Sequence, residues 1–151
     1  MSNIEQPQIT FRKAGESHIS KAIGVTNYLM LERLAFQWAE KLIHNYLNGQ
    51  WSFAQASNGA WFMVPPAGTD SQLVVTSMGY QCDVEASPTA AGIAITMFAI
   101  NHMLERAANQ GLSQHSGIVQ SLWQNIELLR DAAYQGALPK SDRTAIYRIT
   151  D

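Results

Sequence analysis

Residues 87–100 read SPTAAGIAITMFAI, and this stretch decides the fold. Ser87 can supply the N-cap oxygen of a helix, and Pro88 suits the first helical position because its missing N–H has no partner there anyway. From Ala90 to Ile100 the residues are apolar on nearly every side, which is typical of a helix covered on several faces. The run is too short for a membrane span, which takes about 20 residues. It predicts a buried central helix that Gly111 closes.

Two short aromatic and branched runs precede this helix. They cover residues 51–54 and 60–64, and the segment Ser-Asn-Gly at 57–59 lies between them. Asn-Gly is a strong hairpin signal, because both central residues of a type I′ turn need positive φ. The Pro-Pro pair that follows ends the second run, since proline has no N–H for a ladder hydrogen bond. Residues 72–76, QLVVT, predict a third strand that completes a small antiparallel meander.

A long helix is predicted upstream of the hairpin. Apolar residues recur there at three- and four-residue steps, at Tyr28, Leu31, Ala35, Trp38, Leu42 and Tyr46. Thr26 or Asn27 can provide the N-cap oxygen, and Asn48-Gly49 can provide a left-handed stop.

Two more helices are predicted after Gly111. The first has one apolar stripe and ends near Gly136, its stripe being Ile118, Leu122, Ile126, Leu129 and Ala133. The second is short, begins at residues 139–141 and has Ile146 and Ile149 on its apolar face.

This segregated order of elements predicts an α+β fold, with a small three-stranded antiparallel meander packed against about four helices. Residues 1–20 are polar and show no sustained period, so we predict a loosely held N-terminal leader there. Residues 21–151 then form a single α+β domain, at a length typical of one domain.

Charge and cysteine content exclude several classes of function. Ten basic and twelve acidic residues give a formal net charge of -2, and they are spread along the chain rather than gathered in runs. A protein that binds nucleic acid through its phosphates needs a basic stripe, and an acidic DNA mimic needs a far more negative charge. Neither strong direct DNA binding nor DNA mimicry is expected. Cys82 is the only cysteine, and the sequence shows no signal pattern or membrane span, so we expect a cytoplasmic protein.

Candidate catalytic and metal-binding residues are few. The sequence has no nucleophile elbow and no glycine-rich phosphate loop. His102 and Glu105 are the only close ligand pair on one helical face, and zinc or iron needs three or four converging ligands, which favours a solvated pair. An enzyme built around Cys82 with His44, His102 or His115 stays open as an alternative, because only the fold could bring these residues together. No catalytic residue, metal or cofactor is predicted.

Aromatic residues of the predicted hairpin are the candidates for binding. Rings of this kind stack exposed bases in single-strand binders, but those surfaces include basic residues, and none occurs from Gln50 to Val64. We expect most of the rings to pack under helices and one or two to form an exposed protein-binding patch. The candidate partner contacts are Asn58, Gly59, Trp61 and Phe62, although turn chemistry alone also explains Asn58 and Gly59.

Three segments match the pattern of one known family in order and spacing. WSF at 51–53 with SNGAWFMVP at 57–65 resembles a Trp-x-Phe, then Asn-Gly-Gly-Phe-Tyr-x-x-Pro pattern. Residues 90–101, from AAGI to FAIN, are similar to an Ala-Ala-Gly-Ile helix that ends in Phe-Ala-Leu-Asn. Residues 146–151, IYRITD, are similar to a closing Ile-x-Arg-Ala-Ile-Asp. The chain thus resembles the ArdB/KlcA family of antirestriction proteins over most of its length.

The resemblance implies a protein, typically carried by plasmids, prophages or genomic islands, that protects incoming DNA from type I restriction enzymes. It implies no catalytic residues, and the family is distinct from the acidic antirestriction proteins that mimic DNA. We therefore predict a non-catalytic antirestriction protein that binds another protein, either the type I restriction complex or an accessory host factor. The alternatives that stay open are the small Cys/His-dependent enzyme and a mobile-element scaffold protein with no role in restriction.

Overall fold

The computed structural model describes residues 9–67, 72–77, 79, 82–113, 116–135 and 138–150. Its elements in chain order are β1 (Phe11–Ala14), α1 (Glu16–Ile23), α2 (Val25–Leu42), β2 (Ser52–Ala56), β3 (Trp61–Val64), β4 (Leu73–Thr76), β5 (Asp83–Ala86), α3 (Pro88–Asn109), α4 (Gly117–Gln135) and α5 (Lys140–Thr150). The described part therefore contains five helices and two antiparallel sheets, one of three strands and one of two. This arrangement confirms the predicted α+β class.

Helix α3 runs through the middle of the core, as predicted. Ser87 Oγ accepts a hydrogen bond from the Ala90 N–H at 3.1 Å, and Pro88 occupies the first turn. Every residue from Ala90 to Ile100 is buried, because α2, β3, α4 and α5 all pack around the helix. Beyond its end, Gly111 has a φ of 77°, in the left-handed region that reverses the chain after a helix.

Strands β2 and β3 form the predicted hairpin, but the turn between them is of a different type. The Ala56 N–H donates to the Ala60 carbonyl at 2.7 Å, and the Gly59 N–H donates to the Ala56 carbonyl at 2.9 Å. These bonds enclose the three loop residues 57–59, so the connection is a three-residue loop rather than the predicted type I′ turn. Gly59 occupies the left-handed last position with a φ of 97°. Strand β3 ends at Val64, before the two prolines, as predicted.

The third strand of this sheet is β1, which corrects the predicted meander. Strand β1 pairs antiparallel with β2, Phe11 lying opposite Ala56, and the sheet order is β1-β2-β3. Strand β4 forms close to the predicted position but pairs with β5 in a separate sheet, Val75 lying opposite Val84. The four residues of β5 alternate exposed and buried. A run this short cannot be distinguished from a turn by its pattern alone.

Part of the predicted leader, residues 1–20, belongs to the packed domain. Strand β1 lies in the sheet, and α1 buries Ile19 in the core. Phe11 meets the ring of Phe62 edge to face, with ring centroids 5.9 Å apart. The apolar residues of this segment are too few to show a period, so pairing with β2 rather than a local pattern orders it. Residues 1–8 lie outside the described residues.

Helix α2 begins before the predicted caps. Gly24 is its N-cap, with a φ of 84°, and neither Thr26 nor Asn27 caps it. The Asn27 side-chain amide instead donates to the Ile23 carbonyl at 2.8 Å, in the last turn of α1. The glycine that separates the two helices therefore sets the start of α2.

Helix α2 also ends earlier than predicted, at Leu42 rather than near Asn48-Gly49. Ile43 takes an extended conformation and forms a bridge with Val75 of β4. The next residue extends this contact, since the His44 N–H donates to the Val74 carbonyl at 2.9 Å. The helix ends because the chain pairs with a strand about thirty residues away in sequence, which no local signal reveals.

Helices α4 and α5 confirm the two predicted C-terminal helices. Helix α4 buries four members of the predicted stripe, namely Leu122, Ile126, Leu129 and Ala133, while Ile118 packs against the core half-buried. Helix α5 buries the predicted Ile146 and Ile149. Helix α4 is described to Gln135, and the predicted stop at Gly136 lies outside the described residues.

Helix α3 and strand β3 approach so closely at Gly92 that a side chain has no room. A Cβ at this position would lie 2.2 Å from the Met63 carbonyl oxygen and 3.0 Å from the Cα of Val64. Both atoms belong to the backbone, which cannot rotate away as the end of a side chain would. Gly92 therefore sets the distance between the central helix and the sheet.

Gly92→Ala is expected to lower the free energy of unfolding by about 1–3 kcal/mol, the usual cost of overpacking a core, because the added methyl must displace β3. The matched control is Gly117→Ala at the start of α4, where a Cβ would meet nothing within 4 Å. Urea denaturation measures the free energy of unfolding of both variants and the parent chain. Equal values for all three proteins would contradict the close approach of α3 to β3.

Candidate functional site

The four predicted contact residues do not form a common surface. Phe62 is fully buried and Trp61 is 5% exposed, so neither ring can reach a partner while the core stays closed. Gly59 is exposed and Asn58 is half-buried at the hairpin turn. Asn58 Nδ2 donates to the Leu128 carbonyl of α4 at 2.9 Å, and its Oδ1 accepts a backbone N–H within the turn at 3.1 Å. The hairpin is therefore docked on α4 instead of projecting into solvent.

Side chains from two helices cover the free edge of β3. Asn125 of α4, only 2% exposed, accepts the Trp61 N–H and donates to the Trp61 carbonyl, each at 2.9 Å. Its amide thus pairs with the strand as a neighbouring strand would. Two residues along, the Met63 N–H donates to Thr96 Oγ1 of α3 at 3.0 Å. Because an unpaired buried backbone group costs about 1–3 kcal/mol, these two side chains allow β3 to lie inside the core as a sheet edge.

The residues that form the sequence pattern therefore hold the hairpin against the helices. Gly92 and Thr96 lie within the apolar stretch that defines the central helix, and Asn58 lies in the turn. Sequence reasoning misses Asn125, because a single polar residue in a helix usually indicates an exposed position. Its signal is its place on the buried stripe, three residues after Leu122.

The described contacts of Cys82 give its thiol no base. Its backbone N–H donates to Ser77 Oγ at 3.3 Å, and its carbonyl accepts the Ser77 N–H at 2.8 Å. His102 lies elsewhere in the fold, edge-on to the Trp38 ring at 6.3 Å between centroids. His115 lies outside the described residues. Among the described residues, no hydrogen bond joins a histidine to the thiol of Cys82, which directly precedes Asp83, the residue whose carboxylate pairs with His44.

His44 joins Thr76 and Asp83 in a polar cluster beside the smaller sheet. Its Nε2 lies 2.5 Å from Thr76 Oγ1 and 3.2 Å from Asp83 Oδ1, and the Thr76 hydroxyl donates to that carboxylate at 3.1 Å. The Thr76 hydroxyl and the Asp83 carboxylate thus lie at the same ring nitrogen of His44. In a catalytic triad the nucleophile and the carboxylate lie at opposite nitrogens of the imidazole. The His44 and Asp83 side chains are 52% and 56% exposed, as in a solvated surface pair. The cluster attaches the chain after α2 to both strands of this sheet.

The described residues contain no group of three histidine, cysteine, aspartate or glutamate side chains placed to share a metal ion. Of the pair His102 and Glu105, His102 is half-buried against Trp38 and Glu105 is exposed. Trp38 also lies under the ammonium group of Lys41, 5.2 Å from the ring centroid. Among the helices that the structure describes, none is both long enough and apolar enough to cross a membrane.

An apolar groove of about 460 Å³ opens between the C-terminal half of α3 and the N-terminal half of α4. We call it the α3–α4 groove, and its described lining is Asn101, Leu104, Glu105, Ala108, Leu112, Val119 and Trp123. Trp123 and Leu112 are 49% and 47% exposed. Large apolar side chains that share one groove indicate a binding surface more strongly than scattered ones do. Sequence reasoning misses Trp123, and its signal is that it falls beside the buried stripe of α4 rather than on it.

Comparison with known proteins identifies the family. The model of the family described as antirestriction protein matches residues 44–135, from the segment before β2 to the end of α4. Among relatives from Escherichia coli K12, the uncharacterized protein YafX is 31% identical over 91 residues, which are 60% of each chain. The uncharacterized protein YfjX is 30% identical over 127 residues, 84% of this chain and 74% of YfjX.

Two further matches connect the chain to characterised antirestriction proteins. An Escherichia coli antirestriction protein, KlcA, is 34% identical over 77 residues, so the match spans 51% of either chain. A solved structure of the KlcA and ArdB proteins matches 100% of both chains with a TM-score of 0.76 and 25% identity. It is reported to show a novel fold and antirestriction activity against type I DNA restriction systems in vivo but not in vitro. These matches confirm the resemblance that the three sequence segments predict.

Asn125→Leu should lower the free energy of unfolding by about 2 kcal/mol or more, because it keeps the side-chain volume but leaves both backbone groups of Trp61 unpaired. Gln124→Leu is the matched control, since Gln124 is exposed at the preceding position of α4. We expect that control to change the unfolding free energy by no more than about 0.5 kcal/mol. Urea denaturation distinguishes the two, and an equal cost for both would rule out the edge-covering role of Asn125.

Asn125→Asp should make stability depend on pH at this position. The new carboxyl keeps an acceptor for the Trp61 N–H but sets a second oxygen against the Trp61 carbonyl. Burial and that carbonyl favour the protonated acid, so the folded-state pKa of the introduced group should lie above its ordinary value of about 3.9. Relative to the parent chain, the variant is then most stable below the unfolded-state pKa of the new carboxyl. It loses stability as the pH rises through the folded-state pKa.

The measurement is the difference in unfolding free energy between the Asn125→Asp variant and the parent chain. We expect this difference to be smallest near pH 4 and to widen toward pH 7, as the pKa argument requires. A difference that does not change with pH would mean that the carboxyl is not held against Trp61.

Proposed function

Because this chain belongs to the antirestriction protein family, we propose that it protects incoming DNA from type I restriction enzymes in the cell. One observation carries this proposal. The chain matches, over its full length, a solved structure of proteins whose antirestriction activity is directed against type I systems. The sequence matches to YafX and KlcA span shorter stretches, so the full-length structural match is the stronger support.

We infer that the protein acts by binding rather than by catalysis. No hydrogen bond joins the Cys82 thiol to a base among the described residues, and the cluster at His44 sets hydroxyl and carboxylate on one nitrogen, so the described contacts favour binding over nucleophilic chemistry. Two buried polar side chains of the core, Asn125 and Thr96, are occupied in pairing the edge of β3, and a third, Ser77, is bonded to the Cys82 backbone.

The charge of the chain supports a protein partner rather than DNA mimicry. A net charge of -2 over 151 residues is far from the acidity that an imitation of the DNA backbone requires. It also provides no basic stripe for phosphates. The partner is then the type I restriction complex or an accessory host factor. For KlcA and ArdB, activity in vivo but not in vitro favours the host factor, because a cell contains components that a purified reaction lacks.

The test in cells is the plating efficiency of an unmodified phage on a host with a type I restriction system, with and without this protein. We expect plating to rise by several orders of magnitude, and only in the restricting host. A non-restricting strain is the control for general effects on phage growth. Unchanged plating, with folded protein present in the cells, would refute the proposed function.

A second experiment identifies the partner. The reaction to be measured is the cleavage of unmodified DNA by a purified type I restriction enzyme. This protein is added to the reaction, either alone or together with an extract of the host. Inhibition by the protein alone assigns the restriction complex as partner, whereas inhibition that needs the extract assigns a host factor. Protection in cells without inhibition in either reaction would rule out action at the cleavage step.

A further inference from the structure

The helical walls of the α3–α4 groove limit the ways in which a bound molecule can be recognised. Both walls are helices, whose backbone N–H and carbonyl groups are hydrogen-bonded within each helix. The helical walls themselves therefore have no free backbone groups for pairing with an extended strand, so recognition along them uses side chains. Trp123 and Leu112 provide apolar surface there, and a helix that lies in a groove presents its own apolar residues at matching three- and four-residue steps.

The charge at the rim is acidic. Glu105 is the only ionisable side chain in the described lining of the groove, and Glu127 is exposed one turn along α4 from Trp123. Within the described part of the chain, no ion pair of Glu105 or Glu127 is found. Arg106 lines a smaller neighbouring cavity, which shares Leu112 and Val119 with the groove.

This charge decides between possible occupants. A nucleic acid would bring phosphates against the glutamates, which is unfavourable. A second copy of the chain would bring two identical acidic rims together, because a two-fold interface places the same patch on both sides. A partner with lysine or arginine beside an apolar stripe meets both the charge and the apolar surface.

We propose that the α3–α4 groove binds a basic amphipathic helix of a protein partner. An apolar side chain of that helix packs on Trp123 and Leu112, and a lysine or arginine lies beside Glu105. Trp123 provides most of the binding energy, since half-exposed tryptophans in pockets are typical hot spots. The proposal rests on the proposed function, because it takes this partner to be the protein through which restriction is blocked.

The direct test uses the full chain and two synthetic helical peptides of about 18 residues, or five helical turns, one of leucine and lysine and one of leucine and glutamate. Fluorescence anisotropy of the labelled peptides measures binding. We expect the lysine peptide to bind and the glutamate peptide not to bind. Failure of the lysine peptide to bind, or equal binding of both peptides, would overturn the proposal.

Variants then locate the bound peptide. Trp123→Ala and Glu105→Lys should each weaken binding of the lysine peptide by about tenfold or more. Tyr147→Ala is the matched control, because Tyr147 is an aromatic residue on α5 that is 60% exposed, and it should leave binding unchanged. Both aromatic residues are exposed, so circular dichroism should show unchanged folding. Full binding by Trp123→Ala would place the peptide elsewhere and overturn the proposal.

Phage plating separates this inference from the proposed function. Protection should be lost in Trp123→Ala and kept in Tyr147→Ala. If the parent chain protects and Trp123→Ala protects equally, the groove inference fails while the proposed function stands. If the parent chain does not protect, the proposed function fails, and the peptide measurements alone decide whether the groove takes a basic helix.

Discussion

The burial of β3 as a sheet edge is the constraint on which the rest of the structure depends. Its residues Trp61, Phe62 and Met63 lie inside the core, yet one side of the strand has no neighbouring strand. Asn125 and Thr96 provide the missing hydrogen bonds from α4 and α3. Thr96 can reach the strand because α3 comes close at Gly92, one turn earlier on the helix. The close approach of α3 to β3 and the hydrogen bonds to β3 therefore depend on each other. Without these bonds, burial would leave polar backbone groups of β3 unpaired.

This constraint also separates the residues that define the family resemblance from those that can contact a partner. The aromatic hairpin, the AAGI segment and Asn58 are occupied in joining the sheet to the helices. They have little surface left for another molecule. Exposed apolar surface is found instead at other places, among them the α3–α4 groove around Trp123. The fold pattern can thus identify the family while giving no information about the surface that a partner meets.

What could be predicted from sequence follows from the range of the interactions. Ser87 and Gly59 act within a few residues of their position, so the start of α3 and the location of the hairpin turn are visible in the sequence. The pairing of β1 with β2 and the early end of α2 depend on residues some thirty to forty positions away, and no local signal reveals them. The burial of Trp61 and Phe62 is hidden for a related reason, because a strand inside a core and a strand at a surface can share one aromatic pattern.

The proposed binding of a basic helix also agrees with the near-neutral charge of the chain. Proteins that bind DNA concentrate lysine and arginine on one face, often along a helix. A protein that competes for such a face across a broad surface needs many acidic residues, as a DNA mimic has. In the proposed complex, a helix held in an apolar groove needs only one or two matched charges, because the apolar contact with Trp123 would provide the affinity and Glu105 the selectivity. The net charge of -2 is therefore compatible with the proposed recognition of a basic helix, which needs far fewer acidic residues than an imitation of DNA does.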